Sequence, residues 1–119
     1  MSTRMTPPEG LLYSSLAFDA DMAPLVHLFV DDLPDRAKSL LDRLQASDFE
    51  GLRRLAHQMS GAAGSYGFAE ITTEAAALEA IITRGGAEDE IAAGVNAVID
   101  LLRRARSGTG EDSVVDSSF

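Results

Sequence analysis

The chain has 119 residues, of which 45% are hydrophobic and none is cysteine, and its formal net charge at pH 7 is −9. This size and apolar content can form one domain around a single core, and the lack of cysteine excludes disulfides, thiolate nucleophiles and cysteine-ligated metals. The acidic charge argues against nucleic acid as a partner, and no apolar run is long enough for a signal peptide or a membrane span. We therefore expect a cytoplasmic protein that binds other proteins rather than nucleic acid or membrane.

The first predicted helix covers residues 22–44, where apolar side chains recur every three or four positions. Asp21 is a suitable N-cap, and Pro24 then falls in the first turn, where its missing N–H is tolerated. Pro34 lies inside this pattern, where a proline deletes a hydrogen bond and clashes with the preceding turn. The sequence therefore predicts either a kink near residues 30–34 or two separate helices.

Three more helices are predicted after this one. Ser47 and Glu50 are spaced as a capping box that starts the second helix, and Gly64 and Gly67 mark its exit. The third helix ends at Gly85-Gly86, and the fourth has acidic residues in its first turn and arginines at its end, which suits the helix dipole. The predicted core positions of these three helices are Leu52, Leu55, Ala56, Met59, Ala63, Tyr66, Phe68, Ile71, Ala75, Leu78, Ile82, Ile91, Val95, Val98, Leu102 and Ala105.

Four amphipathic segments joined by short connections favour antiparallel neighbours. The predicted fold class is therefore all-α, an up-down antiparallel four-helix bundle with a short N-terminal segment packed on it. Residues 1–10 are predicted to be a flexible N-terminus and residues 11–106 to form the bundle. Residues 107–119 lack periodicity and are rich in serine, glycine and acidic residues, which predicts a disordered tail.

The two histidines of the chain differ in their surroundings. At about 100° per residue, His57 lies about 140° from Leu52 and points away from the core stripe of its helix. His27 also faces away from the apolar residues of its helix, and we interpret it as a solvated surface residue without a role. The neighbours of His57 on the outward side are Arg53, Ser60, Gly61 and Gly64.

The two glycines near His57 admit two interpretations. A glycine inside a helix costs about 0.5–1 kcal/mol relative to alanine, so each glycine needs a reason. They could clear space for a large partner around the imidazole, or they could let a neighbouring helix pack closely. An imidazole is neutral and nucleophilic near physiological pH and can take up a phosphoryl group, a reaction that needs positioning and charge compensation. Arg53 and the Ser60 hydroxyl could supply part of that compensation.

The segment from Leu52 to Glu79 resembles the signature of histidine-containing phosphotransfer (HPt) domains, in which an alanine–histidine pair precedes two spaced glycines and a leucine–glutamate pair. The resemblance implies that His57 is the phosphoacceptor. It would take a phosphoryl group from a receiver-domain aspartate or a hybrid kinase and pass it to a response regulator, as a stoichiometric carrier rather than an enzyme. The matching residues are Ala56, His57, Met59, Gly61, Gly67, Ile71, Leu78 and Glu79.

The resemblance also implies the kind of partner. Response-regulator receiver domains and a sensor or hybrid histidine kinase are the expected partners, and Mg²⁺ is expected on the partner receiver domain. The chain itself is expected to be a monomer without a kinase site, a cofactor or a metal of its own. The residues predicted to bind or support the partner around His57 are Arg53, Gln58, Ser60, Gly61, Gly64 and Gly67.

One position departs from the family pattern. HPt domains usually have a lysine three residues after the histidine, where it helps to balance the phosphoryl charge, and this chain has Ser60. Arg53, one turn before His57, is a candidate substitute. Two alternatives therefore stay open: an HPt-like adaptor that binds a receiver domain or kinase without being phosphorylated, and an unrelated helical bundle with a structural role.

Overall fold

A computed structural model describes residues 10–109, in which four α-helices pack against one another. The helices are α1 (Ala23–Gln45), α2 (Phe49–Ser65), α3 (Ala69–Thr83) and α4 (Glu88–Arg104). Each helix contacts the next, and α4 also contacts α1, so the four helices close a bundle. The short connections make successive helices antiparallel. The predicted all-α four-helix bundle is confirmed.

The core consists of one apolar stripe from each helix. Burying a leucine, isoleucine or valine side chain stabilises the fold by about 1.5–3 kcal/mol, so these stripes supply the main driving force for folding. Three of the predicted core positions are only partly buried and lie at the edge of the core, namely Leu55, Tyr66 and Ile82. The largest fully buried side chains are Leu33, Leu40, Leu52, Ile71, Leu78, Val26, Val95 and Val98.

Helix α1 is one continuous helix that includes Pro34, so the alternative of two helices is wrong. Pro34 lies on the exposed side of α1, whereas Leu33 and Leu40 are buried on the other side. The packing of this apolar side holds the helix together across the missing hydrogen bond. Pro24 lies in the first turn, as predicted.

The start of α1 differs from the prediction. Met22 occupies the N-cap position and makes no side-chain cap. The Asp19 carboxylate instead accepts the backbone N–H of Asp21 at 2.9 Å and of Met22 at 3.3 Å. The Asp19 carbonyl also accepts the N–H of Ala23 at 2.8 Å. Asp21 as N-cap is therefore wrong, because the chain already turns at Asp19 and brings that carboxylate to the free N–H groups.

The start of α2 is capped by Asp48. Its Oδ1 accepts the backbone N–H of Gly51 at 2.9 Å, and its Oδ2 accepts from Arg43 Nη1 at 2.9 Å. These two bonds, the one from Gly51 first, hold the pKa of Asp48 below its ordinary value. Ser47 has a φ of 56° and reverses the chain between the helices. The predicted Ser47–Glu50 capping box is therefore wrong, because the cap lies one residue later.

The N-terminal segment packs on the bundle through two short strands, in agreement with the predicted fold. Strand β1 (Leu12–Tyr13) pairs in parallel with β2 (Ala105–Arg106), and Leu12 lies opposite Ala105. Both of these side chains are buried. This pairing was not predicted, and it places Arg106 in a strand rather than at the end of α4.

Gly67 turns the chain after α2, as predicted. Its φ is 85°, in the left-handed region that favours glycine. The N-terminal segment lies directly against it, since Ser14 Oγ donates to the Tyr66 carbonyl at 2.5 Å and the Ser15 N–H donates to the Gly67 carbonyl at 3.0 Å. Gly64 lies inside the last turn of α2 rather than at its exit.

The predicted flexible N-terminus and disordered tail lie largely outside the described residues. The described part of the tail is residues 107–109, where Ser107 Oγ lies 3.1 Å from His27 Nδ1 in α1. The domain bounds at residues 1–10 and 107–119 therefore stay predictions.

Gly67 and Gly61 should respond in opposite directions to the same substitution. A Cβ on Gly67 would lie 2.4 Å from Ser14 Oγ and would be held at positive φ, so Gly67→Ala should destabilise the fold by about 1–2 kcal/mol or more. A Cβ on Gly61 meets nothing within 4 Å, so Gly61→Ala should stabilise α2 by about 0.5–1 kcal/mol. Urea unfolding of both variants measures the two changes, and a destabilised Gly61→Ala or a neutral Gly67→Ala would contradict this structure.

Candidate functional site

His57 lies in the middle of α2 with its side chain 72% exposed, which confirms that it points away from the core. Arg53 lies one turn before it and Gly61 one turn after it. At Gly61 an added Cβ would meet nothing within 4 Å, so the surface beside the imidazole is open on that side. A macromolecular partner can therefore approach the ring without meeting a side chain at position 61.

A carboxylate from α3 holds the imidazole. The Nδ1 atom of His57 lies 3.2 Å from Oε1 and 3.1 Å from Oε2 of Glu79, whose side chain is only 25% exposed. An ionised carboxylate can only accept a hydrogen bond, so Nδ1 carries the proton and donates it. In the neutral ring the lone pair is then on Nε2, to which none of the described residues is hydrogen-bonded.

The register between α2 and α3 brings Glu79 to His57. Thr72 Oγ1 donates to the Ser60 carbonyl at 2.8 Å, and a Cβ on Gly64 would lie only 3.2 Å from that same hydroxyl oxygen. His57 precedes Gly64 by seven residues, and Glu79 follows Thr72 by seven residues. Seven residues are about two helical turns, so in antiparallel helices both contacts lie on the same stripe, about 10 Å apart.

The two glycines near His57 serve different purposes in the structure. Gly61 faces open space, which is the clearance interpretation, whereas Gly64 packs against Thr72 of α3, which is the close-packing interpretation. The open space at Gly61 thus fits clearance around the ring, and the contact at Gly64 fits close packing of α2 on α3. Gly67 lies in the turn after α2, where its nearest neighbours belong to the N-terminal segment.

Arg53 connects the imidazole–carboxylate pair to a second carboxylate. Its Nε and Nη2 atoms donate to Glu50 at 3.1 and 2.7 Å, and its Nη1 lies 3.6 Å from Glu79 Oε2, the same oxygen that lies 3.1 Å from His57 Nδ1. The bonds from Arg53 hold the pKa of Glu50 below its ordinary value, and the Glu50 carboxylate raises the pKa of Arg53. Arg54 lies 3.6 Å from the same Glu50 oxygen that Arg53 Nη2 contacts.

The remaining predicted site residues, Gln58 and Ser60, lie on α2 beside His57. Gln58 is exposed on the side of α2 that borders α1, where it lines a small cleft with Arg36 and Ser39. Ser60 is half-buried, and its carbonyl accepts the hydrogen bond from Thr72. Gln58 thus lies towards α1, and Ser60 contacts α3 through its backbone carbonyl.

Glu79 and Glu50 were not predicted as site residues. Glu50 was assigned to a helix cap, whereas its carboxylate binds Arg53. Glu79 is 22 residues away from His57, and only the helix packing joins them. The signal that could have identified Glu79 is the leucine–glutamate pair in the signature, which was read as part of the resemblance and not as a contact of the histidine.

The site is a surface and not a cavity. A groove of about 420 Å³ lies between α3 and α4, but His57 and Glu79 are not among its lining residues. Among the residues that the structure describes, no three histidine, aspartate or glutamate side chains come together as metal ligands. No helix within residues 10–109 is long and apolar enough to cross a membrane.

The Glu79 contact predicts opposite tautomers for the two histidines. His57 should carry its proton on Nδ1, whereas His27, whose Nε2 lies 3.3 Å from Asp31 and whose Nδ1 lies 3.1 Å from Ser107 Oγ, should carry its proton on Nε2. ¹⁵N NMR of the neutral rings reads both tautomers in one sample. Glu79→Ala should release His57 to a mixture of tautomers and leave His27 unchanged; a wild-type His57 protonated mainly on Nε2 would rule out the contact.

The comparison with protein families agrees with this geometry. The family model described as Hpt domain matches residues 24–108, a span that includes His57, Glu79 and nearly all of the four helices. No curated protein and no solved structure matches the chain. Domains of this family act in phosphotransfer in two-component signalling and are phosphohistidine carriers without a kinase site of their own. Because the match extends over well more than half of the sequence, this chain belongs to the Hpt domain family.

Proposed function

We propose that this chain is a phosphorelay intermediate in which His57 accepts a phosphoryl group from a receiver-domain aspartate or a hybrid kinase and transfers it to a response regulator. The observation that carries the proposal is the exposed imidazole whose Nδ1 is held by Glu79. That arrangement orients the ring and leaves the nucleophilic lone pair on Nε2.

The residues of this chain account for a balanced transfer step. The Nε2 lone pair attacks the phosphorus of an aspartyl phosphate, a P–N bond forms, the P–O bond to the aspartate breaks, and the aspartate leaves as a carboxylate. The ring keeps its proton on Nδ1 and becomes positively charged, and the adjacent Glu79 carboxylate, 3.1 Å away, compensates that charge. The reverse steps deliver the phosphoryl group to the aspartate of the next receiver domain.

The exposure of His57 fits a reaction with a macromolecular donor. Its side chain is 72% exposed, and Gly61, one turn later, places no side chain beside the ring. A receiver domain can therefore bring its aspartate to Nε2 by docking on the outward face of α2, where we place Arg53, Gln58, Ser60 and Gly61. We propose that the chain acts as a cytoplasmic monomer without a cofactor of its own and that Mg²⁺ belongs to the partner receiver domain.

Phosphoryl labelling with a matched histidine control tests the proposal. We expect a phosphorylated receiver domain, mixed with the chain, to give acid-labile and alkali-stable phosphate on the wild type and on His27→Gln, and none on His57→Gln. His27 is a suitable control because it is the other histidine of the chain and is also exposed, with a side chain 61% accessible.

Two outcomes would contradict the carrier. Label that persists in His57→Gln would place the acceptor elsewhere. A receiver domain that binds the wild type without labelling it would support the adaptor alternative, in which Ser60 replaces the lysine that HPt domains use for charge compensation.

A further inference from the structure

The arginines near His57 are already paired with a carboxylate in the unphosphorylated chain. Arg53 is the cation that contacts the His57–Glu79 pair, and it donates two hydrogen bonds to Glu50. Arg54 also lies at Glu50, at 3.6 Å. A phosphoryl group on His57 would add about two negative charges near Glu79 and would need a cation.

Arg53 is positioned to be that cation. It precedes His57 by four residues, so the two side chains lie on the same side of α2 one turn apart. A helical side chain leans towards the N-terminal end of its helix, which inclines the imidazole towards the turn of Arg53. Arg53 Nη1 and His57 Nδ1 also approach the same oxygen of Glu79, at 3.6 and 3.1 Å. The Arg53 side chain is long and 33% exposed, so it is free to rotate towards a group on Nε2.

We propose that Arg53 exchanges Glu50 for the phosphoryl group when His57 is phosphorylated, and that Glu50, by competing for Arg53, weakens the hold of the chain on that group. This inference rests on the proposed function. Arg53 would then replace the lysine that is absent at Ser60, and Glu50 would be a positioning residue that acts through Arg53. Planar guanidinium groups bind carboxylates and phosphoryl groups through the same paired N–H bonds, so the two anions are true competitors.

The competition has a functional consequence. A carrier must give up its phosphoryl group as readily as it accepts it, and a cation bound firmly to that group would favour the phosphorylated form. Glu50 limits this preference because Arg53 must give up its two hydrogen bonds to Glu50 before it can bind the phosphoryl group. The acidic partner of Arg53 therefore keeps transfer reversible.

A ³¹P titration of the phosphorylated chain tests the exchange without a partner protein. The full chain with His27→Gln, so that His57 alone reports, is phosphorylated with phosphoramidate, and the midpoint of the last phosphoryl ionisation is read from the ³¹P shift against pH. A cation on the phosphoryl group favours the dianion and lowers this midpoint. Arg53→Gln should therefore raise it by a few tenths of a pH unit, and Arg53→Lys should keep most of the wild-type value.

The Glu50 variants give the decisive comparison. Glu50→Gln frees Arg53 and should lower the midpoint by a few tenths of a pH unit, and this effect should largely disappear when Arg53→Gln is also present. Arg54→Gln is the matched control, since it removes the adjacent arginine, which is not in contact with Glu79, and it should change the midpoint little.

The outcomes separate the inference from the proposed function. A midpoint that does not respond to Arg53→Gln, that responds equally to Arg54→Gln, or that falls as far with Glu50→Gln when Arg53 is absent would overturn the exchange while leaving His57 as the carrier. A wild-type chain whose His57 takes no phosphoryl group from phosphoramidate or from a receiver domain would overturn the proposed function itself.

Discussion

The packing of α2 against α3 is the constraint on which the site depends. The imidazole and the carboxylate that orients it belong to different helices, and their hydrogen bond requires the helices to keep one register. The hydrogen bond from Thr72 to the Ser60 carbonyl and the close approach at Gly64 fix that register two turns away. A functional group must be held to within about half an ångström of its productive geometry. A Cβ at position 64 would lie 3.2 Å from the Thr72 hydroxyl that sets the register, so Gly64 supports a site that it does not touch.

The exposed charges around His57 are individually weak, because ion pairs in water contribute little to stability. Their importance lies in their arrangement as a ladder from Glu50 through Arg53 and Glu79 to His57. Arg53 lies between the two carboxylates and contacts both of them, so its charge is compensated on each side. Such a ladder suits a reversible carrier, since the same groups can be redistributed when a phosphoryl group arrives and restored when it leaves.

The sequence predicts the architecture well because the spacing of apolar residues along a helix is a local property that can be read directly from the sequence. The four stripes and the outward direction of His57 follow from it. The helix starts were predicted less well, since Asp19 and Asp48 lie within two residues of the expected caps. Only the path of the chain decides which side chain reaches the free N–H groups. A two-residue strand pair has no period to detect, and β1–β2 was therefore missed.

The positions of His57 and Arg53 could be predicted from the sequence, whereas the contact with Glu79 could not. His57 and Arg53 lie on one helix face, which spacing alone identifies, whereas Glu79 reaches His57 only through tertiary packing. The central claim is that Glu79 occupies Nδ1 and leaves Nε2 to react. The most direct measurement is ³¹P–¹⁵N coupling in the chain labelled with [¹⁵N]histidine and phosphorylated by a receiver domain. Phosphorus bonded to Nε2 of His57 is the predicted result, and phosphorus bonded to Nδ1 would contradict it.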